Sequence, residues 1–123
     1  MIQKIIKPPT IITSESPRML RAISLDQSVT AIALSGIQFT SPIEVLVYDY
    51  SYLVVNIGGS PAVAYLQISP DGTTWETQSD TKTINAGTLV SFVPDVIAKY
   101  ARLAYQSPAI TELQIYTQGR SYN

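Results

Sequence analysis

The 123-residue sequence predicts an all-β domain, either a sandwich or a barrel. Apolar residues recur with a period of two, the spacing of strands that bury one face, rather than the 3.6 of helices. The apolar segments are also short, and clusters of Gly, Pro, Asn, Asp and Ser separate them. Short strands at such intervals are typical of sandwiches and barrels.

Nine segments combine β-branched or aromatic residues with alternating polarity, so each is predicted to form a strand. They are residues 27–34, 43–49, 51–57, 62–69, 74–78, 81–85, 88–93, 99–106 and 111–118. Alternation places Ala101, Leu103 and Tyr105 on one face of their strand. Residues 45–48 and 53–55 are apolar on both faces, which predicts cover by the core on one side and by a loop or another subunit on the other.

The run Ser69-Pro70-Asp71-Gly72-Thr73-Thr74-Trp75 predicts a tight hairpin. Pro70 presets φ, and Gly72 supplies the positive φ of the turn. Trp75 then opens the returning strand. We expect its ring to pack in the core or against the hairpin, with a sugar-stacking platform as the alternative.

Residues 1–21 differ from the rest of the chain and are predicted to form an extended arm, with the β domain at 22–123. The arm carries a net charge of +3 and the body −4. Pro8-Pro9 cannot lie within a central strand ladder, yet the arm's isoleucines favour burial. Two arrangements fit: a first strand of the chain's own sheet, or strand addition to the open edge of the next copy.

Composition excludes most enzyme classes. The chain has no histidine and no cysteine, which removes thiol nucleophiles, Ser-His-Asp triads and cysteine-based metal sites. The acidic residues Asp71, Asp80 and Asp95 lie in or beside predicted turns, where solvated roles are usual. We therefore expect no catalytic residue, no cofactor and no metal ion.

Charge and hydropathy limit the partners. The net charge is −1 and no basic run exists, so nucleic acid is not an expected partner. No apolar stretch approaches the roughly 18 residues of a membrane span. No secretion signal of the usual kind is visible at the start.

Three of the eight tyrosines, Tyr48, Tyr50 and Tyr52, alternate along one segment. A regular strand would place the three rings on one face. Tyrosine at such positions fits ordinary half-buried sites, a subunit interface or a sugar-binding platform.

The arm, the body and three of its motifs resemble a small β-sandwich family of Firmicutes. The motifs are Gly58-Gly59-Ser60-Pro61, Ser69-Pro70-Asp71-Gly72-Thr73-Thr74-Trp75 and Tyr100-Ala101-Arg102-Leu103. In plan this family is similar to endospore-appendage fibre subunits, jelly-roll domains whose N-terminal arm inserts into a neighbouring subunit of an extracellular filament. Those subunits carry cysteines that cross-link the arm, whereas this chain has none.

The resemblance implies a jelly-roll-like antiparallel β-sandwich of about eight strands that forms a helical homopolymer at the cell or spore surface. Residues 1–16 would be the donor strand, anchored by Lys4, Ile5, Ile6, Ile11 and Ile12. Tyr48, Tyr50 and Tyr52 would serve lateral packing. The alternatives are a carbohydrate-binding or phage-tail-like module, with a surface glycan as partner, and a coat or capsid-associated shell protein.

Overall fold

The computed structural model of the chain describes residues 22–78 and 80–122. The predicted arm and its anchors Lys4, Ile5, Ile6, Ile11 and Ile12 lie outside the described residues. Within the described part, the strands are β1 (Ala22–Ala33), β2 (Gln38–Phe39), β3 (Ile43–Glu44), β4 (Asp49–Asn56), β5 (Ala62–Ser69), β6 (Glu76–Thr77), β7 (Lys82–Ile84), β8 (Leu89–Phe92), β9 (Tyr100–Gln106) and β10 (Thr111–Tyr122).

The strands form two antiparallel sheets. The first sheet has the order β1-β10-β4-β8. In the second, β9 pairs with β5 on one side and with both β2 and β3 on the other, while β5 pairs with both β6 and β7. β2 and β3 pair with the same edge of β9, and β6 and β7 pair with the same edge of β5. If each of these two short pairs is counted as one strand, each sheet has four strands. The predicted jelly-roll-like sandwich of about eight strands is confirmed.

The first and last strands hold the first sheet together. β1 pairs with β10 over twelve residues, from Ala22 opposite Tyr122 to Ala33 opposite Thr111. The pairing of strands so distant in sequence, within the strand orders of the two sheets, is the topology of a double Greek key.

Alternating side chains from both sheets form the core. Ala101, Leu103 and Tyr105 of β9 are buried, as the alternation predicts, and they face Leu113 and Ile115 of β10 in the same apolar cluster. Each fully buried aliphatic side chain contributes about 1.5–3 kcal/mol. The outer faces of both sheets carry mainly polar residues alternating with the buried ones, although Leu53 and Val55 on the outer face of β4 are apolar and half-buried.

The apolar run at residues 43–49 is interrupted in the structure. Only Ile43 and Glu44 pair with β9, after which a turn forms in which the Tyr48 amide donates to the Val45 carbonyl at 2.9 Å. Leu46 and Val47 lie exposed at the tip of this turn. Periodicity cannot distinguish a short strand followed by an apolar turn from one continuous strand, so the expectation of a strand at 45–48 is wrong.

The predicted hairpin is present after β5. Gly72 has a φ of +82°, a conformation in which a side chain would be strained. The Asp71 carboxylate accepts hydrogen bonds from the Thr73 and Thr74 amides at 2.9 and 2.8 Å. These bonds favour the ionised form, so the pKa of Asp71 lies well below its usual range.

Stability at acid pH should therefore depend on Asp71. In the unfolded chain the pKa of an aspartate is near 3.9. The stability contributed by ionised Asp71 is therefore present above that pH, and it is lost as pH falls toward the lower pKa of the folded chain. We expect the urea midpoint of the wild type to fall between about pH 4 and pH 2, and to fall less in Asp71→Asn. An unchanged pH dependence in the variant would contradict this assignment.

Candidate subunit interface

The tyrosine cluster faces the interior. Tyr52 is fully buried in the core, and Tyr48 and Tyr50 pack against it with partial exposure. The rings of Tyr50 and Tyr52 meet edge to face with centroids 6.2 Å apart. Tyr50 and Tyr52 share the inner face of β4, whereas Tyr48 packs against the same core from the preceding turn. For Tyr52 the expected lateral packing needs correction, because its buried ring offers no surface to a neighbouring subunit.

Burial changes the acidity of these rings. Desolvation raises the pKa of Tyr50 to about 12. Desolvation also raises the pKa of Tyr52, and the electrostatic interaction with Tyr50 raises it further. The Tyr52 hydroxyl has no hydrogen-bond partner of normal geometry among the described residues. The hydroxyl groups of Thr40 and Thr117 are close enough to oppose part of the pKa increase.

A groove opens at one side of the sandwich, between β1 and residues 39–44. We call it the β1 groove. Its volume is about 640 Å³. Its apolar lining is Leu25, Val29 and Ala31 on the β1 side and Phe39, Ile43 and Tyr105 on the opposite side. Polar residues, among them Gln27, Thr40 and Thr117, line the rest of the groove.

Val29 marks the place where the two sheets separate. It has the same parity as the buried residues Leu25 and Ala31, so it lies on the inner face of β1, yet 48% of its surface is exposed. Gln27, also on this face, is exposed as well. An inner-face valine open to solvent indicates that the sandwich is not closed along this side.

The opposite wall explains the opening. The edge of the second sheet is interrupted between β2 and β3, where Ser41-Pro42 lies, and proline cannot donate to a ladder. Thr40 keeps the segment attached, because its amide donates to the Leu103 carbonyl and its hydroxyl accepts from the Leu103 amide, each at 2.9 Å. The wall thus follows β9 without extending over Val29.

One end of the sandwich consists of uncharged loops. We call this surface, formed by residues 34–37, 57–61, 85–88 and 107–110, the uncharged end. None of these residues is charged. Its loops expose the aliphatic side chains of Leu34, Ile37, Ile57 and Ile110, the last with 70% of its surface accessible.

Asn56 connects the loops of the uncharged end from within. Its buried side-chain amide donates to the carbonyls of Ser60 at 2.7 Å and Ile84 at 2.9 Å. Its side-chain oxygen accepts from the Thr111 hydroxyl at 2.8 Å and the Gly58 amide at 3.1 Å. All four hydrogen-bonding positions of the amide are therefore used.

Two further residues complete this network. The Ser107 amide donates to the Leu34 carbonyl at 2.7 Å, and its hydroxyl donates to the Pro61 carbonyl at 2.8 Å. The Gly58 backbone lies so close to the start of β10 that a Cβ at this position would be 2.1 Å from the Thr111 hydroxyl oxygen. The network fixes the loops relative to one another, so the exposed aliphatic side chains lie on a pre-formed surface.

The opposite end carries a second apolar surface. We call the loops 45–48 and 93–99 the apolar loop pair. Their exposed side chains are Leu46, Val47, Val93, Val96 and Ile97. The Val45 amide donates to the Lys99 carbonyl at 2.7 Å, and a cavity of about 660 Å³ lies between the two loops and the end of β10. Ile97 is 84% exposed.

An aromatic stack lies on the outer face of the second sheet. The Arg102 guanidinium lies 3.8 Å from the ring centre of Phe39 and 4.1 Å from that of Trp75. Its Nε donates to the Gln67 side-chain oxygen at 2.8 Å. Trp75 is half-buried and packs on the hairpin side of this stack, outside the core.

The described residues contain neither a group of three acidic side chains that could hold a metal ion nor a helix that could cross a membrane.

A known family covers most of the sandwich. Residues 45–121 match the family described as Domain of unknown function (DUF6385). The chain belongs to this family. The DUF6385 match contains Asn56, its hydrogen-bond network and the apolar loop pair, whereas β1 and residues 39–44 precede it. None of the curated proteins compared with the chain matches it.

Sequence reasoning missed the residues that shape both the groove and the uncharged end. Asn56 could have been found, because it is a polar residue at the end of the apolar run 53–57. Val29 carried no such signal. Its exposure results from the opposite sheet edge, which alternation within β1 cannot reveal.

The Asn56 network predicts a large loss of stability on truncation. Asn56→Ala would leave the Ser60 and Ile84 carbonyls and the Gly58 amide without their side-chain partner, so we expect the free energy of unfolding to fall by about 2–4 kcal/mol. Asn85→Ala, at an exposed turn residue, is the matched control and should cost less than about 1 kcal/mol. Equal losses in urea denaturation would disprove a special role for Asn56.

Proposed function

We propose that the protein is the structural subunit of a self-assembling extracellular filament, in which residues 1–16 of one copy fill the β1 groove of the next. The observation that carries the proposal is the exposed inner face of β1 around Val29. The apolar part of this groove favours an apolar strand as its occupant, and the chain has a segment rich in isoleucine before β1.

The edge position of β1 supports strand addition. β1 is the outermost strand of its sheet in the described part of the chain, with β10 on its other side. An incoming strand could pair with the free edge of β1 and place alternate side chains against Val29 and Ile43. Ladder hydrogen bonds would supply affinity, and the groove would select the side chains.

Charge supports the same pairing. The arm is basic and the body acidic, and Glu44 lines the β1 groove. Glu44 lies 3.6 Å from Lys99 in an exposed ion pair, which contributes little by itself and leaves the carboxylate accessible to Lys4 of another copy. Complementary charge of this kind steers association and sets the register.

Such a contact joins two different surfaces of the same chain. Contacts of this type are heterologous and, when they do not close into a ring, they produce helical filaments. A filament held by non-covalent strand addition needs no cysteine, which agrees with the composition.

Deletion of residues 1–16 tests the role of the arm. The truncated chain should keep its β-type circular dichroism and lose high-molecular-weight assemblies in electron microscopy and sedimentation. Filaments formed by the truncated chain would refute the proposal.

A matched pair on β1 tests the groove. Val29 and Ile32 are both 48% exposed, but they lie on opposite faces of β1. Val29→Lys should raise the critical concentration for assembly at least about tenfold, because a buried valine is worth roughly 1.5 kcal/mol. Ile32→Lys should leave it within about threefold. The same effect from both variants would show that the inner face is not the contact.

The second candidate function is glycan binding at the Phe39, Arg102 and Trp75 stack. Exposed aromatic rings beside hydrogen-bonding side chains form platforms for sugars, but here Arg102 already covers one face of the Trp75 ring. Retention of the wild-type chain on a polysaccharide column, abolished by Trp75→Ala, would favour this function. Retention equal in both forms would dismiss it.

A further inference from the structure

We infer that the uncharged end of one copy docks on the apolar loop pair of the next, as a second contact in the filament. This inference rests on the proposed function. It concerns a different surface from the β1 groove and sets the direction of growth, along the strands.

The two surfaces lie at opposite ends of the same sandwich. β4 begins at Asp49, directly after loop 45–48, and ends at Asn56, whose side chain joins the loops of the uncharged end. Eight residues of antiparallel strand span about 27 Å. A stack of copies in one orientation therefore brings each uncharged end onto an apolar loop pair.

The uncharged end has the composition of an interface centre, and the apolar loop pair offers it exposed aliphatic side chains. The loops of the uncharged end contain no charged residue, and depletion of charge is what distinguishes the buried centre of an interface. Opposite it, Val47, Val96 and Ile97 project from loops 45–48 and 93–99 with more than half of their surfaces exposed. The loop pair also carries two charged residues, Asp95 and Lys99, of which Lys99 lies 3.6 Å from Glu44.

The exit point of the arm identifies the occupant as a second copy. Ala22 pairs with Tyr122, and Ile23 with Ser121. Ser121 lines the cavity beneath the apolar loop pair, so residues 1–21 join the sandwich at that same end. If a second copy docks its uncharged end on this loop pair, an arm that continues the direction of β1 reaches that copy first. Ten extended residues would then span about 33 Å along its β1 groove.

The full-length chain allows a direct test, because it has no native cysteine. We would prepare the double variant Ile97→Cys, Ile110→Cys and treat assembling protein with a short bis-maleimide. Docking predicts a ladder of covalent dimers, trimers and larger species on denaturing gels. The control Ile97→Cys, Ile32→Cys moves the second thiol to the outer face of β1 and should give no ladder.

A charged substitution gives an independent readout. Ile97→Asp and Ile110→Asp, each on an exposed side chain, should raise the critical concentration at least about tenfold. In a mixture of the two, the intact loop pair of one variant can meet the intact uncharged end of the other. The mixture should therefore yield dimers by sedimentation without longer chains.

The outcomes separate the two contacts. Suppose that Val29→Lys abolishes assembly and that the Ile97→Cys, Ile110→Cys variant gives no cross-linked ladder. This pair of results would overturn end docking and leave arm insertion intact. A ladder, with assembly unaffected by Val29→Lys, would support end docking and refute the proposed arm contact. Assembly unaffected by Ile97→Asp and Ile110→Asp would also overturn end docking.

Discussion

The structure depends on one constraint: a sheet with an apolar inner face must be covered along its whole length. The first sheet meets this requirement beside β10, β4 and β8, where the second sheet supplies buried partners. The first sheet is left uncovered along the middle of β1, because the edge of the second sheet that faces β1 is interrupted at Ser41-Pro42. The exposed inner face of Val29 is the result, and the free energy of covering it is available to any strand that fits.

The pattern of polar burial shows where the fold is rigid. The buried hydrogen-bonded residues Asn56, Ser107 and Thr111 lie at the uncharged end, where their bonds tie loops that are distant in sequence, whereas the side chain of the buried Ser69 bonds within its own hairpin. Their network holds aliphatic side chains outward instead of letting them collapse inward, at the cost of exposing apolar surface. Among the residues that the structure describes, the groove side has no such network, and the Tyr52 hydroxyl near Thr40 and Thr117 is its nearest counterpart.

The sequence was sufficient for the sheet pattern and for turns with distinctive chemistry. Alternation predicted the inner face of β9, and Gly72 behaves as its turn requires. Alternation could not place the turn at 45–48, whose residues are as apolar as a strand, nor locate β2, which has only two paired residues. The groove was not predictable either, because it depends on which sheet edges face each other, and that is decided by the tertiary pairing of β1 with β10.

Photocrosslinking from position 29 would identify the segment that fills the β1 groove in assembled filaments. A photoreactive phenylalanine analogue in place of Val29 would be activated in filaments assembled from equal amounts of ¹⁴N- and ¹⁵N-labelled chains, and the linked peptides identified by mass spectrometry. Arm exchange predicts links from position 29 to residues 1–16, with mixed-isotope pairs as frequent as random mixing allows. Links that join only peptides of the same isotope would show that each chain fills its own groove, and would contradict assembly by arm exchange.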